Sequence, residues 1–200
     1  MNRINSRKPS KAIKPSKETG QIRIIAGKHR GRKLPVLMAD GLRPTTDRVK
    51  ETVFNWLMPY LYQSRCLDCF AGSGSLGFEA LSRGAEEVAL IELNKDAAKQ
   101  LKQNATTLKA DNIAVYHQDI LSYLQQTSTS FDLVFVDPPF RKGLVKPTLE
   151  QLEKGWLADD AVVYVEMEAE TSAPALGDNW QLLKEKIAGQ VAYRLYQYSR

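Results

Sequence analysis

Short apolar runs separated by stretches of helical periodicity limit the fold of this 200-residue chain more than any other feature. They recur from Cys66 onward as Cys66–Phe70, Val88–Ile91, Ile113–His117, Phe131–Val136 and Ala161–Val165, each long enough for one buried strand and too short for a helix. Between them the spacing predicts helices continuing to about Arg83, from about Asn94 to Leu108, briefly from Asp119, and over Lys146–Lys154. Strand and helix in alternation mean parallel βαβ units, so the class is α/β. The ending differs: Trp180–Ile187 and Gln190–Tyr198 flank Ala188-Gly189 as two strands of an antiparallel hairpin. Upstream, Gln21 to about Val36 alternates apolar and polar residues on both sides of Gly27–Lys33, which predicts a hairpin with a basic turn. Pro44-Thr45-Thr46-Asp47 then opens a helix in which Val49, Val53, Trp56, Leu57 and Leu61 recur at helical spacing. With 43% apolar content the chain can bury one good core, and the expected division is a tail over 1–20, a hairpin and helix packed on the core over 21–62, and the main domain over 63–200.

Chemistry is concentrated where strands end. Asp137-Pro138-Pro139-Phe140 directly follows the run ending at Val136. The Asp137 carboxylate and the Pro138 carbonyl can each accept one N–H of an exocyclic amino group, the prolines stiffen the loop, and Phe140 offers a face for a base to stack on. A rigid turn followed by a core phenylalanine is the plainer alternative. A second signal runs from Asp68 through Phe70 to Gly72, Gly74 and Gly77, a glycine-rich turn between strand and helix. Glu92 follows Gly72 by 20 residues at the end of the next strand, where an acid grips a ribose hydroxyl pair. The glycines alone fit a nicotinamide cofactor equally well. Asp68 argues against it, because its carboxylate would repel a pyrophosphate and suits the ammonium of a methionine moiety instead.

The net charge of +5 hides an asymmetry, since residues 1–50 hold 14 Lys/Arg against 3 Asp/Glu. Such a basic quarter is the footprint of a phosphate-binding surface. Lys28, Arg30, Arg32 and Lys33 on the hairpin turn are the candidate contacts to nucleic-acid phosphates, with a merely solvated turn as the alternative. Residues before Gln21 read as a flexible basic arm; Pro9, Pro15 and few apolar residues argue against an amphipathic targeting helix. No stretch approaches the roughly 20 apolar residues of a membrane span, so a soluble, cytoplasmic protein is expected. Cys66 and Cys69 form a CxxC, but strand alternation turns them to opposite faces and no second pair completes a metal site. They read as reduced structural thiols, and no metal is expected. His29 and His117 are isolated and receive no role.

The Gly72 loop, Glu92, Asp119 after a third strand and the Asp137 tetrapeptide after a fourth resemble the ordered motifs of class I S-adenosylmethionine-dependent amino-methyltransferases. Gln21–Gly27, Gly31–Leu34, Leu42–Val49 and Gly189–Arg194 are similar, more narrowly, to the bacterial 16S rRNA guanine-N2-methyltransferases of the RsmD type. The likeness runs from about Gln21 to Gln197. It implies a Rossmann-like, mostly parallel seven-stranded sheet with an antiparallel last strand, plus the N-terminal hairpin and helix. It further implies a monomer that methylates the N2 amino group of a guanine, position 966 in the family, in 16S rRNA of a 30S particle or assembly intermediate. Asp137, Pro138, Pro139 and Phe140 would be catalytic. Asp68, Phe70, Gly72, Gly74, Glu92, Asp119 and Ile120 would bind S-adenosyl-L-methionine, with Arg43 and Thr45 at its methionine end. An adenine- or cytosine-directed amino-methyltransferase, and a non-catalytic RNA-binding assembly factor, remain as alternatives.

Overall fold

The structure is a computed structural model that describes residues 19–37, 47–126 and 129–200. Arg43, Thr45 and the arm up to residue 18 lie outside the described residues. The chain runs β1 (Thr19–Arg23), β2 (Lys33–Leu37), α1 (Asp47–Leu61), β3 (Arg65–Asp68), α2 (Ser75–Ser82), β4 (Glu87–Glu92), α3 (Lys95–Leu108), β5 (Ile113–His117) and α4 (Ile120–Tyr123). It continues through β6 (Phe131–Val136), α5 (Val145–Leu152), β7 (Leu157–Glu168), β8 (Trp180–Ala188) and β9 (Val191–Tyr198). Seven strands form one sheet in the order β5-β4-β3-β6-β7-β9-β8. The first five pair in parallel, and β9 enters antiparallel between β7 and β8. β1 and β2 form a separate antiparallel ribbon.

Strand alternation sorts the core into two layers. One face of the sheet carries Cys66, Leu90, Phe135 and Tyr164 against α1, α2, α3 and the ribbon. The other carries Leu67, Ile91, Val134 and Val163 against α4, α5 and Trp156. β3 and β6 are buried on both faces, which is why they read as continuous apolar runs. Cys66 and Cys69 fall in different layers, unpaired and buried. Phe54 of α1 meets Phe135 at 6.1 Å between ring centroids, so this helix docks directly on the sheet.

Strand boundaries differ from expectation most at β3 and β7, the latter also running on to Glu168 past Val165. β3 ends at Asp68 rather than Phe70, although the Cys69 N–H still reaches the Phe135 carbonyl at 3.0 Å. β7 begins at Leu157 rather than Ala161 because the β6–β7 register shifts between Phe131 and Leu133, with Asp160 in the left-handed region at φ 61°. A bulge of this kind breaks the alternation that marks a strand in the sequence.

A buried polar clamp fastens the ribbon to the core. Glu79 of α2, wholly buried, accepts the N–H groups of Ile25 (2.8 Å) and Ala26 (3.0 Å) and the Arg83 Nε–H (2.8 Å). Lys50 of α1 lies 3.5 Å from the same carboxylate and donates to the Arg23 carbonyl. At the turn, Lys28 N–H and His29 N–H bond the Ser82 carbonyl and hydroxyl. Gly27 is confined by this docking, since a Cβ there would sit 1.8 Å from the Ser82 carbonyl oxygen at an unfavourable φ of 78°. Among the described residues no helix is long and apolar enough to cross a membrane.

Candidate active site

Four neighbouring strands set four carboxylates on one face of the sheet, Asp137 level with Glu166 and Asp68 two residues behind Glu92 and Asp137 in the register. The face that buries Leu90, Cys66, Phe135 and Tyr164 continues, two residues further along each chain, into Glu92 on β4, Asp68 on β3, Asp137 after β6 and Glu166 on β7. All four stand at the carboxyl ends of parallel strands, the crevice where open α/β sheets bind ligands. Among the described residues none of the four is ion-paired with a Lys or Arg.

Asp68 is 2% exposed, and its Oδ1 is buried without a hydrogen bond among the described residues. Burial pushes the carboxyl up to about 7, opposed by the N–H groups of Phe70 and Gly77 and reinforced by Glu92. Gly77 also lets α2 approach the sheet, because a Cβ there would lie 2.3 Å from Leu90 Cδ2. Glu92 shapes the glycine turn: its Oε2 accepts the Gly72 N–H at 2.8 Å and its Oε1 the Asn94 N–H at 2.6 Å. Gly74 stands at the N-terminus of α2 at φ 78°. Phe70 is half-buried against the second core layer, Ile120 is buried, and Asp119 caps α4 by accepting the Ser122 N–H at 3.0 Å.

Burial holds Asp137 well above the usual carboxylate range, with Glu166 and then Asp68 adding to the effect. Burial also raises Glu166, while the Tyr164 hydroxyl, donating to Glu166 Oε2 at 3.0 Å, pulls it back. Pro138 is buried, whereas Pro139 and Phe140 are exposed, Phe140 by 41% of its surface. Phe140 is therefore not a core phenylalanine. Its ring is free to stack.

Lys28, Arg30, Arg32 and Lys33 are all exposed, and Arg32 also donates to the Thr107 carbonyl at 3.2 Å. Their turn docks at the C-terminal end of α2, whereas the glycine loop lies at its N-terminal end. The eight-residue α2, about 12 Å long, separates the two. The basic turn and the carboxylate row thus occupy opposite ends of the sheet. Exposed Arg141 and Lys142, next to Phe140, lie far closer to the row, and exposed Leu93 follows Glu92. Reading the sequence for acids and glycines passed over these three and Glu166, although the pair Arg141-Lys142 directly after the tetrapeptide is a visible signal.

A family model described as Conserved hypothetical protein 95 matches residues 22–197. Ribosomal RNA small subunit methyltransferase D of Escherichia coli strain K12 is 57% identical over 180 residues, covering 90% of this chain and 91% of that protein. The solved structure of yhhF from Escherichia coli superposes with a TM-score of 0.84 at 54% identity, covering 90% of this chain and 99% of that one. The Thermus thermophilus 16S rRNA N2 G1207 methyltransferase, solved with AdoMet and guanosine, shares the fold at a TM-score of 0.66 and 19% identity, covering 93% of this chain and 52% of that one. The order of the strands, the ribbon ahead of them and matches over nine-tenths of the length place this chain in the ribosomal RNA small subunit methyltransferase D family, with the class I S-adenosylmethionine-dependent methyltransferase fold.

Proposed function

We propose that the protein transfers a methyl group from S-adenosylmethionine to the N2 amino group of a guanine in 16S rRNA, guanine 966 by family resemblance, within the small ribosomal subunit or an assembly intermediate. The observation that carries this reading is the carboxylate row, in which Asp137-Pro138-Pro139-Phe140 follows the strand next to that of a buried, unpartnered Asp68 oxygen. S-adenosylmethionine supplies an electrophilic methyl group when bound. The residues present fit it. Asp68 Oδ1 lacks a partner that an ammonium group would provide, and Glu92 stands where ribose hydroxyls can donate to it. Gly72 and Gly74 bring backbone close to the methionine end, where Arg43 and Thr45 are also assigned. Phe70, Leu93, Asp119 and Ile120 surround the adenosine end.

Asp137 and the Pro138 carbonyl accept the two N–H bonds of the guanine amino group. Held this way, the nitrogen lone pair turns out of conjugation with the ring and toward the electrophile, a positioning effect that lowers the barrier. After transfer the nitrogen is acidic, and its proton passes to Asp137 or water. Phe140 stacks on a base taken out of its helix or loop. Asp137→Ala tests this directly: it should abolish single-turnover methyl transfer to small subunits while S-adenosylhomocysteine still binds. Wild-type rates in that variant would remove the amino clamp from the mechanism.

A further inference from the structure

Glu166 is the one member of the carboxylate row that this mechanism does not use. Val136 and Val165 are register partners in the parallel β6–β7 pair, and the next residues along are Asp137 and Glu166. Phe135 and Tyr164, one turn of the pleat earlier, meet at 6.3 Å between ring centroids in the same core layer. Asp137 and Glu166 therefore stand on one face of adjacent strands, roughly 4.8 Å apart in the pairing direction. The wholly buried Tyr164 fixes Glu166 by donating to its Oε2 at 3.0 Å. No other described residue donates to Glu166, so Oε1 remains as an acceptor.

Two side-by-side acceptors with no ion pair to a Lys or Arg among the described residues call for a ligand edge that presents two adjacent N–H donors. Guanine has such an edge, with N2–H next to N1–H. Adenine and cytosine have a ring lone pair beside the amino group and would set it against a carboxylate. We infer that Glu166 is the specificity-determining residue of the site, accepting the N1–H of the target guanine while Asp137 accepts from N2. This deepens the function proposed above and rests on it. Burial is what makes such readout selective, because the wrong base still offers Asp137 its amino group but sets a lone pair against the buried Glu166 carboxylate. The raised proton affinity of Asp137 and Glu166 is consistent with carboxylates awaiting donors.

The test uses small subunits reconstituted with 16S rRNA carrying either guanine or 2-aminopurine at the acceptor position. 2-Aminopurine keeps the amino group but has a lone pair at N1. Wild type should methylate guanine about 100-fold faster or more in single turnover, within the range for a mismatched buried hydrogen bond. In Glu166→Gln the amide can donate to the N1 lone pair, so the guanine rate falls, the 2-aminopurine rate rises, and their ratio narrows about tenfold or more. Glu166→Asp withdraws the acceptor and should narrow the ratio too. S-adenosylhomocysteine binding identifies which variant is folded and carries the test. An unchanged ratio in that variant overturns the role of Glu166. Wild type that methylates guanine in neither particle nor free RNA overturns the underlying function instead.

Discussion

Asp68 and Glu92, proposed to hold one ligand, are engaged by different means, and their variants should fail differently. Glu92 is already engaged by the Gly72 and Asn94 N–H groups, so its carboxylate shapes the loop in addition to its proposed part as a hydroxyl acceptor. Glu92→Ala should weaken S-adenosylmethionine binding by roughly 1.5–3 kcal/mol, the scale of a lost charge-assisted bond; unchanged affinity in calorimetry would move the ribose elsewhere. Asp68 makes its effect pH-dependent. Its folded value of about 7 lies above the ordinary 3.8, so between those values the folded chain holds a proton that the unfolded chain releases. That contribution favours folding at low pH and is lost as pH rises through about 7. An ammonium group bound there, as proposed, would reverse the preference by stabilising the carboxylate. The thermal shift produced by S-adenosylhomocysteine should therefore grow from about pH 6 to about pH 8, while Asp68→Asn should flatten that trend and weaken binding. A shift independent of pH in the wild type would mean that Asp68 does not face the cation.

The N-terminal ribbon owes its place to α2 and α1, through groups that the apolar pattern does not reveal. Glu79 satisfies two ribbon N–H groups and two cations with no exposure of its own. Removing one member of a buried charged network leaves the others unpaired, typically at a cost of about 3–5 kcal/mol. Glu79→Ala should lower stability on that scale in urea unfolding and release the ribbon to proteolysis before the sheet; a loss below about 1 kcal/mol would make the clamp incidental. The strands were legible in the sequence because β3, β4 and β6 are buried on both faces and leave unbroken apolar runs. The glycine turn and the Asp137 tetrapeptide were legible because each is local, with its chemistry contained in a few consecutive residues. Lys50, Glu79 and Glu166 were not. The first two resemble the solvated face of a helix, and the third the polar positions of a strand, until long-range packing brings their partners to them. The early start of β7 was hidden for a related reason, because the bulge at Asp160 puts adjacent acids inside a strand.

The whole molecule separates charge from chemistry. Residues 51–200 hold 14 Lys/Arg against 20 Asp/Glu, and the carboxylate row is acidic ground for a polyanion to approach, so RNA affinity must come from elsewhere. Two basic surfaces are available among the described residues: the turn bearing Lys28, Arg30, Arg32 and Lys33, and the pair Arg141-Lys142 beside Phe140. Their positions make them separable, because the turn lies beyond the length of α2 from the glycine loop whereas the pair directly follows Phe140 beside the carboxylate row. A short RNA hairpin that engages only the carboxylate row can reach Arg141 and Lys142 but not the turn. An assembled subunit, being much larger, can touch both ends of the sheet. Changing the four turn residues to glutamine should thus leave affinity for a short hairpin nearly unchanged, yet lower the logarithmic salt slope on small subunits by roughly 3, at about 0.7–0.9 per lost phosphate contact. Arg141→Gln with Lys142→Gln should reduce the slope on both substrates by roughly 1–2. Filter binding across a salt series measures all four cases. An unchanged slope for the turn variant on intact particles would make the turn a solvated loop, and would leave the residues beside Phe140 and the segment before Gln21 to hold the RNA.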